Sequence, residues 1–392
     1  MITNRNNVKL FVYSYDVLSQ EYVIKSCIEK PIYVSYKRIY DEIDSAKVVA
    51  EATEQNAQAL KKGNIIWIES KVCMMIDSIA LSSDEKKITV VGSLCDGVLS
   101  KRILPTEISF ENSALSYVFG AIFQASQGFP AFTFTTQNLS DLYYTGTITP
   151  GVLLDIVQDL CKKFSLGFTA EKQLASYNEL ELSLIVYKGQ DESEHIIMSR
   201  DFGTLSEIEY TENSNSEINF VKVFGDNDLY AEVSVPNTND STRVESVLDC
   251  KNIKQGEMSD NDYLQVLTNK GQEYLDEHTN LKTYSGDYVE NSFIAYEDFN
   301  VGDIVKVSDK ELDIDDTQRV TSIQIQYDIN GRYIDLQLGD IPKSTTRVIS
   351  TLSKKVEKIE TTPEPESGGG GGGGGTTINI PYAILVQAED VT

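Results

Sequence analysis

The sequence predicts a mainly β chain with α+β insertions: two β-barrel-like regions, smaller α+β domains, a short C-terminal helix and a glycine tether. Three observations predict it. Short runs of alternating apolar and polar residues, bounded by turn residues, fill 8–104 and return from 206 onward. Two segments, around 152–164 and 263–278, instead repeat their apolar residues at helical spacing. The last third then runs from a strand cluster, Phe299 to Asp340, through a heptad-like stretch into eight consecutive glycines, Gly368 to Gly375. That order leads away from a folded body, as expected of a chain that organises other molecules and does not transform one.

In the first region (1–104), Val8–Tyr15, Tyr22–Cys27, Ile32–Ile39, Ile65–Ile68, Val72–Leu81 and Ile88–Val91 read as strands. Ala46–Leu60, rich in alanine, glutamate and glutamine, reads as a helix ended by Lys61-Lys62-Gly63. Gly92–Leu104 opens a more helical section, and the α+β domain (105–205) carries a helical Ala114–Gln124. Its second helix follows Thr149 as cap and Pro150 as opener, presents Val152, Leu153, Ile156, Val157, Leu160 and Phe164, and stops before Gly167. Leu180–Tyr187 alternates as a strand.

The second β-barrel-like region (206–345) starts with strand patterns over Ser206–Val235. A helix at 263–278 follows, with Leu264, Leu267, Gly271, Tyr274 and Leu275 on one face after an acidic start at Ser259–Asp262. The closing cluster gives strands at Ile304–Val307, Arg319–Gln326 and Tyr333–Leu338, with Asn330-Gly331 as the hairpin turn. The acidic run Asp313–Asp316 lacks the spacing and glycine of an EF-hand loop and reads as a hairpin loop.

Beyond it, Ile349, Leu352, Val356 and Ile359 fall at a/d spacing in a short coiled-coil-like helix (346–362), a candidate trimer interface. As a free helix so short a segment is marginal, so it needs an assembly held together elsewhere. Pro363 and Pro365 end it and begin a Pro/Gly linker (363–375). The eight glycines span about 16 Å on average. The last segment (376–392), with its apolar centre Tyr382–Val386, reads as a docking strand.

At 392 residues the chain suits two or three domains. Its 34 basic and 60 acidic residues give a net charge of −26, scattered along the chain. Such a field repels nucleic acid and admits two readings, a solvated acidic surface or a wall that DNA passes without sticking. Five cysteines, far apart and with no CxxC pair, read as reduced core thiols. No signal peptide opens the chain and no segment has the roughly 20 apolar residues of a membrane span, so synthesis in a cytoplasm without a membrane anchor is expected.

Catalytic signatures are missing from the sequence. It has no GxSxG, HExxH, Walker or GxGxxG motif. His195 sits in a charged turn and His278 at a helix end, and neither suggests a metal site. No cofactor is implied. The 21 tyrosines are explained by half-buried sheet positions.

The order of the pieces resembles the tail-hub proteins of siphophages, which are related in fold to the hubs of contractile phage tails and injection machines. The likeness spans nearly all of 8–345. Lys62-Gly63-Asn64-Ile65-Ile66-Trp67-Ile68, Met75–Ile79 and Val90-Val91-Gly92 through Lys101-Arg102 are similar to the family's N-terminal pattern. Asn219–Gly225 is similar to its N-x-V-x-V-x-G strand, and Phe299–Val305 with Arg319–Ile323 to its G-D-x-V strand and return.

The resemblance implies a homotrimeric ring with two β-barrel-like hub domains per subunit in pseudo-sixfold arrangement, at the virion tail tip. Its implied partners are a distal tail ring or tube above and a fibre, spike or tape-measure protein below, with DNA passing unbound. Larger members carry a peptidase, lysozyme-like or fibre domain after the hub, where this chain has a glycine tether, so no enzymatic activity is expected. The alternatives are a cell-wall hydrolase using paired carboxylates and a carbohydrate-binding adhesion module using exposed tyrosines.

Overall fold

The computed structural model describes residues 8–339 except 70, 127–131, 174–179, 215–216 and 277. The chain begins with β1 (Leu10–Asp16), β2 (Glu21–Ile28), β3 (Tyr33–Ile39), β4 (Ser45–Glu51), α1 (Glu54–Ala59), β5 (Ile65–Glu69), β6 (Val72–Ser82) and β7 (Lys87–Leu94). All six strands read from the N-terminal sequence are present. The first part of the helix expected over 46–60 is strand, because Ala46, Val48 and Ala50 alternate with exposed Lys47 and pack inward at a period of two. Only Glu54–Ala59 is helical, started by Thr53, whose hydroxyl accepts the Asn56 N–H at 3.1 Å.

Of the helical section expected from Gly92, the opening stretch 92–104 holds a 3-10 turn (Cys95–Lys101), and its continuation at Ala114–Gln124 forms a helix. Then come β8 (Ile103–Leu104), β9 (Ile108–Ala114), α2 (Leu115–Ala125), β10 (Phe132–Gln137), β11 (Tyr143–Ile148), β12 (Gly151–Val152), α3 (Leu153–Phe164), β13 (Gly167–Lys172) and β14 (Leu182–Tyr187). Thr149 and Pro150 do not cap α3. Gly151-Val152 first pairs with β8, and the Leu153 N–H donates to the Arg102 carbonyl at 2.9 Å. The helix ends at Phe164, before Gly167, but its cap in the left-handed conformation is Ser165 (φ 53°) and not the glycine.

The remainder comprises β15 (Ile197–Ser199), β16 (Glu209–Asn213), β17 (Phe220–Phe224), β18 (Tyr230–Ser234), β19 (Glu245–Asp249), α4 (Asp260–Asp276), β20 (Leu281–Tyr288), β21 (Ile304–Asp309), β22 (Ile314–Asp328) and β23 (Gly331–Gly339). α4 covers the small sheet β18-β17-β19, burying Tyr263, Leu267 and Leu275 against Val221, Val223 and Val233. The β22–β23 hairpin forms as expected, but its loop is Ile329-Asn330, and the positive φ falls on Gly331, the first residue of β23. Asp328 fixes that loop by accepting the N–H groups of Asn330 and Gly331 at 2.7 and 3.2 Å. Of the acidic run, Asp313 occupies the turn (φ 54°), whereas Asp315 and Asp316 lie in β22.

One sheet runs β10-β14-β13-β6-β7-β4-β3-β22-β23-β20-β16, with β5 and β1 folding over beyond β6, and β21 and β15 beyond β22. It is continuous, so the two β-barrel-like regions share one hydrophobic core. Val34, Tyr36, Val48 and Val90 from the first pack in the same cluster as Val305, Ile323, Ile325 and Leu336 from the second. A second core joins α2 and α3 to β13, β14 and the inner ends of β5 and β6.

The two regions are structural repeats of each other. In each, three antiparallel pairings recur in the same order: β3·β4, β4·β7, β6·β7 with β5·β6, against β16·β20, β20·β23, β22·β23 with β21·β22. Each long strand carries a bulge at the same place, between Ile76 and Ser78 and between Val320 and Ser322. The hydrogen bonds around the bulge also match. Gly63 N–H donates to the Ile76 carbonyl at 2.8 Å, and Ile76 N–H to that of Asn64 at 2.9 Å. In the second repeat Gly302 N–H donates to Val320 and Val320 N–H to Asp303, both at 2.7 Å.

Candidate functional site

The repeats combine into a wall of eight consecutive strands, β6-β7-β4-β3-β22-β23-β20-β16. Alternation sends Val34, Tyr36, Val48, Val90, Ile323, Ile325 and Leu336 into the shared core. Register places the opposite set, including Ser35, Lys47, Thr89, Gln324, Gln326 and Gln337, on one open face. Its charged residues are Glu51, Glu209, Asp287, Asp328 and Asp335 against Lys37, Lys47 and Lys87. Five carboxylates against three lysines is a small part of the −26 total, so the acidity of the chain is concentrated elsewhere and the open face is polar and near neutral. Asp335 is raised above the usual carboxylate range by partial burial and by Asp287 directly opposite, with Lys37 working against both.

The repeats meet where β3 pairs antiparallel with β22, Tyr36 opposite Ile325 and Arg38 opposite Ile323. A buried polar chain crosses this seam. Glu69, at the end of β5, accepts the Tyr36 hydroxyl at 2.5 Å and that of Tyr327. Arg332 donates to the Tyr327 oxygen at 2.9 Å, pairs with Glu290 and lies 3.8 Å from Glu69. Burial pushes the Tyr36 and Tyr327 hydroxyls up, and Glu69 beside them adds to it. Burial opposes the charge of Arg332, yet Glu69, Tyr327 and Glu290 hold it above its ordinary value. Farther along, Arg38 pairs with Glu171 of β13 at 3.3 Å, and Lys71 reaches the other oxygen of Glu171 at 3.2 Å.

The Gly302-Asp303 pair fixes the start of β21. Gly302 has φ +101°, and a Cβ there would lie 2.2 Å from the Tyr40 ring. Its carbonyl accepts Arg319 Nη1 at 2.5 Å, while Asp303 accepts the N–H groups of Gln190 and Asn300, each at 2.8 Å. Gly302→Ala combines a left-handed backbone with an overpacked ring contact, and a loss of about 2–3 kcal/mol is expected. A denaturation midpoint unchanged by the substitution would show that Tyr40 yields freely.

The candidate trimer-interface residues Ile349, Leu352, Val356 and Ile359, the glycine run and the docking segment lie outside the described residues. His195 is exposed in its turn. His278 stacks on Tyr274, ring centroids 4.2 Å apart, with Nδ1 2.7 Å from the Tyr274 carbonyl. Cys73, Cys95, Cys161 and Cys250 are buried thiols, and Cys27 is half-buried. Among the described residues no group of ligands is placed to hold a metal ion, and no helix is long and apolar enough to cross a membrane. The seam residues Glu69, Glu290 and Arg332 escaped the sequence reading because each belongs to a different strand or loop. The signal within reach was the likeness of Gly63-Asn64-Ile65-Ile66 to Gly302-Asp303-Ile304-Val305.

No curated protein matches the chain in sequence. Solved structures do match in fold. The 43 kDa tail protein of prophage MuSo2 from Shewanella oneidensis is 10% identical with a TM-score of 0.59, covering 84% of this chain and 97% of its own. A tail protein from Neisseria meningitidis MC58 is 13% identical with a TM-score of 0.60, covering 85% and 96%. The prophage tail protein gp18 from Listeria monocytogenes EGD-e is 11% identical with a TM-score of 0.53, covering 90% and 99%. At such identities the likeness is one of fold. In sequence, the family described as Siphovirus ReqiPepy6 Gp37-like protein matches residues 137–340, just over half of the chain. The chain therefore belongs to the Siphovirus ReqiPepy6 Gp37-like family and has the fold of phage tail proteins, in agreement with the siphophage tail-hub kinship read from its motifs.

Proposed function

We propose that this protein is the hub of a phage tail tip, a homotrimeric ring that joins the tail tube to the distal tip and lets DNA through. The internal repeat carries this reading. Each chain supplies two copies of one wall unit, so three chains supply six, the stoichiometry needed where a sixfold tube meets a threefold tip. Three eight-strand walls closed edge to edge give roughly 24 strands, which at about 4.8 Å spacing and about 40° tilt make a ring roughly 45–50 Å across between backbones. The near-neutral open face, rich in serine, threonine and glutamine, then lines the passage. It offers DNA few cations to bind.

On this reading the neighbours are a distal tail ring or tube protein above and a fibre, spike or tape-measure protein below, and the protein works by assembly without catalysis. The Ile349–Ile359 stretch would bring three chains to the axis below the ring. Native mass spectrometry of the full chain, alone and mixed with the tail tube protein, tests the reading. The expected species is three times the 43.7 kDa chain. A chain that stays monomeric or dimeric under both conditions sinks it.

A further inference from the structure

We infer that copies of this chain join through β16 of one and the outer half of β6 of the next, in the register that β3 and β22 use inside the chain. The inference rests on the ring reading above and names the surface that would close it. The repeat makes β16 the counterpart of β3, and β6 the counterpart of β22. Inside the chain β3 and β22 pair with each other. Their counterparts β16 and the 78–82 half of β6 are the two ends of the wall, each with a strand on one side only.

Aligning the repeats on their bulges sets Ile79 with Ile323, Leu81 with Ile325 and Tyr210 with Tyr36. The pair Tyr36 opposite Ile325, fully buried in the internal seam, thus becomes Tyr210 opposite Leu81 between copies. Leu81 and Ile79 point to the core side of the wall, beside Ile88 and Val90, yet are 68% and 37% exposed, and Tyr210 is 38% exposed. Apolar residues on the core face that stay exposed at a sheet edge are a core cut open. A second copy of the same wall supplies the missing half.

Charge disfavours two β16 edges meeting. β16 carries Glu209 and Glu212, so two β16 edges repel each other. Residues 78–82 of β6 carry no charge, and the flanking Asp77 is engaged by Lys101 at 3.3 Å. A heterologous contact of this kind generates a ring when its rotation closes.

The test uses the full chain with Leu81→Cys, Tyr210→Cys and both together, under oxidation or a short bismaleimide. The expected result is a covalent dimer and closed trimer from the double variant and neither from the single ones, since directly opposed residues have Cβ atoms about 4.5–5.5 Å apart. A trimer by mass without any covalent product from the double variant overturns this seam while leaving the ring reading standing. Covalent dimers from either single variant overturn it in favour of like edges meeting. A chain that neither cross-links nor trimerises with the tube protein present defeats both readings. Leu81→Glu, checked for an unchanged circular dichroism spectrum, is expected to abolish the trimer, and Leu81→Glu with Tyr210→Lys to restore it. A folded Leu81→Glu chain that still trimerises counts against the seam.

Discussion

Glu69→Ala is expected to destabilise the protein by about 3 kcal/mol, the largest loss we predict from a single substitution. Glu69 is the common acceptor of two tyrosine hydroxyls and the neighbour of a guanidinium whose side chain is only 9% exposed. Removing it strands two buried donors at once. Arg332 retains Glu290, which keeps the loss below that of a fully uncompensated buried charge. Glu69→Gln keeps an acceptor and removes the charge, so about half the loss is expected from it. Urea midpoints of the three proteins decide the matter, and an alanine variant within about 1 kcal/mol of the parent would falsify the account of the seam.

Asp96→Asn is expected to change how stability depends on pH. Asp96 sits in the 3-10 turn after β7, is 4% exposed, and its Oδ1 has no hydrogen-bond partner. Burial raises its carboxyl to about 7, with Arg38 pulling the other way. Below about pH 4 the group is protonated folded or unfolded and costs nothing. Between about 4 and 7 the unfolded chain ionises while the folded chain stays neutral, so stability falls as pH rises. Above 7 the loss is complete, on the order of 4 kcal/mol. Asparagine cannot ionise. The variant should therefore gain on the parent from pH 5 to pH 8, and parallel profiles in urea titrations would rule Asp96 out as the source.

What was legible in the sequence was whatever a local period reports. Strands with a clean alternation, such as Tyr33–Ile39 and Ile304–Val307, came through, as did α4 with Leu267, Gly271 and Leu275 on its inner face. Composition misled where it disagreed with period. Ala46–Ala50 has helix-forming residues but packs as a strand because β3 and β7 flank it on both sides. Capping signals failed at Thr149-Pro150, where pairing of β12 with β8 consumed the backbone groups first. The seam and the open edges were beyond reach for a different reason. They depend on which strands become neighbours, and Tyr36 and Ile325 are neighbours only through the topology. The repeat itself is written mainly in backbone hydrogen bonds and bulges, which tolerate many side chains.

The pairing of β3 with β22 also sets a schedule for biosynthesis. The Tyr33 hydroxyl donates to Gln326 at 3.3 Å across a sequence separation of 293 residues. The shared core has no second half until the end of the second repeat leaves the ribosome. At about 5–20 residues per second, β3 waits roughly 15–60 s with its edge unpaired. Closing so long a loop makes this a late and slow step. The nascent N-terminal half is thus the stage at which the chain is most exposed to misassociation, and a chaperone acting on it would have the length of that interval in which to work.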